Sequence, residues 1–100
     1  MLMSQFMVEF DLPHEMPEEF IMKIPQQRLK VNELMEDGKI MSYALSMDRQ
    51  KLWCVVKADT EFEVLEIISE FPLIGYMEPA VSELLFNNVI AARIPLFSLN

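Results

Sequence analysis

Apolar residues fall at every second position through Phe6, Val8, Phe10 and Leu12, with Gln5, Met7, Glu9 and Asp11 between them. Alternation of that kind sends successive side chains to opposite faces and predicts a strand. Pro13 stops it, and the period then changes. Phe20, Ile24, Val31, Leu34 and Met35 recur at helical spacing up to Asp37, where Gly38 supplies a stop. A switch from strand period to helix period, met twice in so short a chain, leaves few folds open.

The remaining elements follow from the same signals. Pro17 suits the first turn of the helix, and Glu18 and Glu19 lie near its positive end. Pro25 conflicts with the pattern, because an interior proline removes a backbone donor at a cost of about 3 kcal/mol. A kink or break is predicted near residues 24–26. Residues 39–47 read as a second strand and residues 52–58 as a third, joined across the polar turn 48–51 into a hairpin. Thr60 and Glu63 are spaced as a capping box, opening a helix whose buried stripe is predicted as Phe62, Leu65, Ile68 and Phe71. Pro72 ends that helix, and residues 76–86 form a fourth strand. Pro79 lacks a ladder donor, so this strand belongs at a sheet edge.

The order is β-α-β-β-α-β. It predicts an α+β protein of the ferredoxin-like type, with a four-stranded antiparallel sheet and two helices on one face. Its first and third strands are central. The other sheet face would be bare in a monomer, and a second copy packed face to face would cover it. Residues 1–86 make up this unit, and the apolar residues 87–100 are predicted to form an arm on the body or on a neighbouring subunit. Val89, Ile90, Ile94, Leu96 and Phe97 are its expected contacts.

Composition narrows the partners. Apolar residues make up 52% of the chain, including nine methionines and seven phenylalanines, more than one small core hides. This again favours self-association. With 16 acidic against 8 basic residues the net charge is −8, which repels a polyanion and argues against nucleic acid. Cys54 is the only cysteine, so no internal disulfide is possible and a reducing, cytoplasmic setting is expected. No apolar run is long enough for a membrane span.

The chemistry-bearing residues are few. Gly38 and Gly75 are the only glycines, so there is no glycine-rich phosphate loop. One histidine and one cysteine, at positions 14 and 54, make a poor zinc set, and neither metal nor cofactor is expected. His14 sits between Pro13 and Pro17. It is either a water-exposed turn residue or an imidazole held at a pocket mouth, with Tyr76 and Met77 nearby. Imidazole titrates close to neutral pH, which suits proton transfer. Glu9 and Asp11 lie on the polar face of a central strand, where a carboxylate needs a partner or a wet pocket. Trp53 is assigned to the core, and Tyr76 opens the last strand. Arg28 is one of few cations able to hold an anionic ligand.

Two segments resemble the muconolactone delta-isomerase family. Pro13-His14-Glu15-Met16-Pro17-Glu18-Glu19 is similar to its turn after the first strand, and Phe71-Pro72-Leu73-Ile74-Gly75-Tyr76-Met77 to its segment before the last. Gly38-Lys39 also fits, and the similarity spans about residues 1–86. The resemblance implies a dimeric α+β barrel, often built up to a decamer. It further implies a cofactor-free isomerase that converts muconolactone to 3-oxoadipate enol-lactone by a proton shift. On that reading His14 and Tyr76 are the catalytic candidates, and Asp11, Arg28 and Met77 contact substrate. The chain departs from the family at Gln27, which replaces an acid, and at Ala44 and Leu45, which replace a tryptophan-arginine pair. The alternative is a non-catalytic small-molecule-binding or assembly protein on the same scaffold.

Overall fold

Strand β1 (Ser4–Asp11) is hydrogen-bonded on both sides, to β3 (Lys51–Ala58) and to β4 (Glu78–Leu84), antiparallel in each case. Strand β2 (Ile40–Leu45) adds to the far edge of β3, so the sheet order is β2-β3-β1-β4. Helix α1 (Glu18–Glu36) connects β1 to β2, and α2 (Glu61–Ile68) followed by a 3-10 turn (Ile74–Tyr76) connects β3 to β4. The β-α-β-β-α-β order and the central places of the first and third strands are as the sequence predicts. So is the edge position of the strand bearing Pro79. The computed structural model describes residues 3–89; the predicted contacts of residues 90–100 lie outside them. Asn87 donates to the side chain of Gln5 at 2.9 Å.

The register shows why the core forms where it does. Phe6, Val8 and Phe10 lie opposite Val56, Cys54 and Leu52, and all six are buried. Phe20, Val31 and Leu34 of α1 and Val64, Ile67 and Ile68 of α2 close over them. Phe71 packs on Phe10 with ring centroids 5.7 Å apart. Each fully buried side chain of this size contributes roughly 1.5–3 kcal/mol. Burial also pushes the Cys54 thiol up to about 12, so it behaves as a small apolar residue.

Helix α1 runs through Pro25 without the predicted break. Pro25 and Ile21, whose carbonyl loses its intrahelical partner, are both on the exposed side, while Phe20 and Gln27 anchor the flanking turns to the core. Met35 is exposed rather than part of the buried stripe. The helix ends in a pair of bonds typical of a glycine stop: Gly38 N–H donates to the Met35 carbonyl at 3.1 Å, and Lys39 N–H to that of Leu34 at 2.9 Å.

Three other expectations need correction. The buried side of α2 is Val64, Ile67 and Ile68, whereas Phe62 is 69% and Leu65 44% exposed. Apolar residues surround this short helix, so both stripes fit its period and packing selects one. Trp53 is half-buried on the opposite sheet face, because Leu52 and Cys54 on either side take the core face. Strand β2 stops at Leu45, since the Ser46 side chain accepts from Lys51 N–H at 3.0 Å and donates to Asp48 at 2.6 Å, which begins the turn early. The cap at α2 is present: Thr60 accepts from Glu63 N–H at 3.1 Å, while the Glu63 carboxylate accepts from Asp59 N–H at 2.7 Å.

Gly38 has φ 77°, a region that disfavours a side chain, although open space surrounds its Cα. Gly38→Ala should therefore destabilise the fold by about 1 kcal/mol through backbone conformation alone. Urea unfolding should show a lower midpoint with an unchanged slope.

Candidate functional site

The space between α1 and the β2–β3 hairpin forms a cleft of about 700 Å³. Phe20, Ile24 and Val31 line it from the helix, Leu45 and Leu52 from the sheet, Leu12 from just past β1, and Leu73 and Met77 from the segment before β4. Five polar side chains interrupt this apolar wall: Gln27, Arg28, Asn32, Tyr43 and Arg49. No carboxylate or imidazole is among the described lining residues. In a chain of charge −8, two arginines thus border a cleft whose described lining includes no acid. A cleft of one sign with apolar walls concentrates the opposite charge. Arg49 reaches the cleft from the β2–β3 turn, where its φ of 64° places it in the left-handed region.

Gln27 organises the inner end. It is only 3% exposed and holds three elements together. Its Oε1 accepts from Leu73 N–H at 3.0 Å, and its Nε2 donates to the Tyr43 hydroxyl at 3.0 Å. A buried amide is tolerated only when its polar atoms are paired, and here both ends are. The Tyr43 ring stands edge-on to Phe71, with centroids 6.4 Å apart. Burial raises the Tyr43 phenol pKa above its ordinary value, while the bond from Gln27 partly opposes the rise.

A smaller cavity of about 390 Å³ adjoins, lined by Asp11, Leu12, His14, Gln50 and Lys51. Leu12 is common to both cavities. His14 is exposed at this second opening. Asp11 is paired with Lys51, which also lies 3.2 Å from Glu9. Glu9 in turn accepts from the Trp53 indole N–H at 2.9 Å. That bond, then the one from Lys51, holds the Glu9 carboxyl below the usual glutamate range.

The structure thus divides the predicted site residues. Arg28 and Met77 line the larger cleft, and Asp11 and His14 the smaller cavity. Tyr76 lines neither. Its hydroxyl donates to Glu19 at 3.2 Å, its ring meets Phe20 edge-on at 5.6 Å, and Lys23 Nζ stands 5.6 Å from the ring centre. Partial burial, with the Glu19 carboxylate beside it, raises its pKa. Asp11 and Glu78 are register partners, so the turn after β1 and the segment before β4 meet at one end of the sheet. Among the described residues no His, Cys, Asp and Glu cluster could hold a metal ion.

Sequence reasoning missed Tyr43 and Arg49, and read Gln27 only as a departure from a pattern. One signal for Gln27 was present: Phe20, Ile24, Gln27, Val31 and Leu34 share one helical stripe, so its amide had to be buried. Arg49 carried no such signal, since a turn arginine is ordinarily solvated.

A βαββαβ sheet with a cleft under its first helix places the chain in the ferredoxin-like α+β class. The muconolactone delta-isomerase family profile matches residues 4–86, from the first strand through the last, and the chain belongs to this family, whose fold is the dimeric α+β barrel. A search of curated proteins gave no match.

Two measurements probe this arrangement. Gln27→Leu should cost about 1–3 kcal/mol for the buried Leu73 N–H left without an acceptor, seen as a lower urea midpoint. The Trp53–Glu9 bond should report on pH. The depressed Glu9 pKa means its contribution is present above the unfolded-state value and is lost as pH falls through the lower folded value. Fluorescence of the lone tryptophan should therefore change with a midpoint below 4.5, the ordinary glutamate value here, and Glu9→Gln should abolish that step.

Proposed function

We propose that the cleft binds a small lactone or enolisable acid bearing a carboxylate, and that the protein moves a proton on it without a cofactor. The reaction is of the muconolactone to 3-oxoadipate enol-lactone type. The observation that carries this reading is the pairing of apolar walls with Arg28 and Arg49 in a cleft whose described lining includes no carboxylate. Apolar walls take up the carbon skeleton, and a guanidinium binds a carboxylate through fixed parallel donors. The proton shift needs a base to take an acidic proton, a donor for the enolate oxygen that forms, and a return of the proton to another carbon. His14, across Leu12 in the adjoining cavity, is the proposed base.

Family membership supports the reaction class, and the proposed assembly follows from the same scaffold. Met7, Ala44, Trp53, Val55 and Leu84 occupy the sheet face away from the helices. Two copies paired through this face would bury it. A second reading is binding without turnover. It is favoured by one observation: the base candidate does not itself line the cleft that holds the arginines.

Incubation with muconolactone in deuterated water separates the two. Turnover should change the ultraviolet absorbance and place solvent deuterium in the product. Arg28→Ala should weaken substrate binding about tenfold or more, in line with the loss of a charged hydrogen bond. His14→Ala should lower turnover by about 10²–10⁴ with little change in stability. Absence of both absorbance change and deuterium at high protein concentration would exclude muconolactone as the molecule turned over and favour binding without turnover.

A further inference from the structure

We infer that Tyr43 is the hydrogen-bond donor of the cleft, and that Gln27 is what frees its proton to meet a carbonyl or enolate oxygen of the bound molecule. The inference rests on reading the cleft as the ligand site, and it assigns a role within it to two residues that neither of the two quoted motifs contains.

The argument is one of hydrogen-bond polarity. A backbone N–H can only donate, so the bond from Leu73 N–H fixes which end of the Gln27 amide is the oxygen. The nitrogen end must then face Tyr43, and it does, at 3.0 Å. An amide nitrogen can only donate, so the Tyr43 oxygen is the acceptor. Its own O–H proton is not used in that bond, and among the described residues Tyr43 donates to no protein group. Both side chains line the cleft. The ring is held against Phe71 at its edge, and the hydroxyl oxygen is held by Gln27, so the donor is positioned before a ligand arrives. A preset donor in an apolar, partly water-excluded site favours charge developing on a ligand oxygen more than a mobile one would.

The polarity makes a specific demand of position 27. An ionised carboxylate there could still accept from Leu73 N–H, but its other oxygen would also need a proton from Tyr43. The hydroxyl would turn inward and be lost to the ligand. A protonated carboxyl would donate to Tyr43 as the amide does and restore the arrangement.

Muconolactone titrated into labelled protein, followed by amide shifts at Leu45 and Met77, tests this. Tyr43→Phe should weaken the apparent affinity about three- to tenfold, the usual worth of one neutral hydrogen bond. Gln27→Glu should weaken it similarly at pH 8 and recover as pH falls and the new carboxyl takes up a proton, a recovery the unaltered protein does not show. Shifts in the unaltered protein with equal affinity in Tyr43→Phe would overturn the donor role and leave the cleft as the binding site. No shift at either residue in the unaltered protein would overturn the cleft reading, and the donor with it.

Discussion

The structure depends on strand β1 meeting two ladders at once while keeping Phe6, Val8 and Phe10 on a single face. Side chains alternate along a strand, so a slip of one residue against β3 or β4 would turn all three outward. The same register sets Val56, Cys54 and Leu52 beside them, and so defines the floor on which both helices settle. It also decides the opposite face. Glu9 falls opposite Trp53, and Asp11 opposite Lys51, which is why the strand's carboxylates find an indole donor and an ammonium partner.

The cleft follows from how α1 is held above that floor. Its stripe packs down at Phe20, Val31 and Leu34, but between them Gln27 reaches sideways to Leu73 and Tyr43 instead of into the core. An aliphatic residue there would pack without tying the helix to the Leu73 segment and the second strand. The amide provides a link of fixed direction, because the Leu73 N–H can only donate and so decides which end of the amide is the oxygen. The resulting space keeps apolar walls, and the two arginines reach it from a helix and a turn. Gln27 thus organises the polar end of the site.

Much of the fold was legible in the residues. Alternation in the first strand, the Gly38 stop, the Thr60 cap and the edge-seeking Pro79 each have a local physical cause, and each appears as expected. What failed were choices among locally equal options. Phe62 with Leu65, and Val64 with Ile67, fit the helix period equally well, and only contact with the sheet separates them. Pro25 penalises a helix, but a penalty of about 3 kcal/mol is outweighed when side chains on both flanking turns are buried and the unpaired carbonyl lies on the exposed side.

The candidate site shows the same division more sharply. The sequence by itself determined the element order, the strand faces and the supply of groups: one histidine, few cations and no phosphate loop. Those properties arise from neighbours within a turn or two, where spacing and side-chain type suffice. Only the tertiary structure decided that His14 and Asp11 share one cavity, that Arg28, Arg49, Tyr43 and Met77 share another, and that Tyr76 turns to Glu19. Those groupings join residues far apart in the chain. They are set by which side chains the closed core leaves no room for, and packing of that kind is not written in any local pattern.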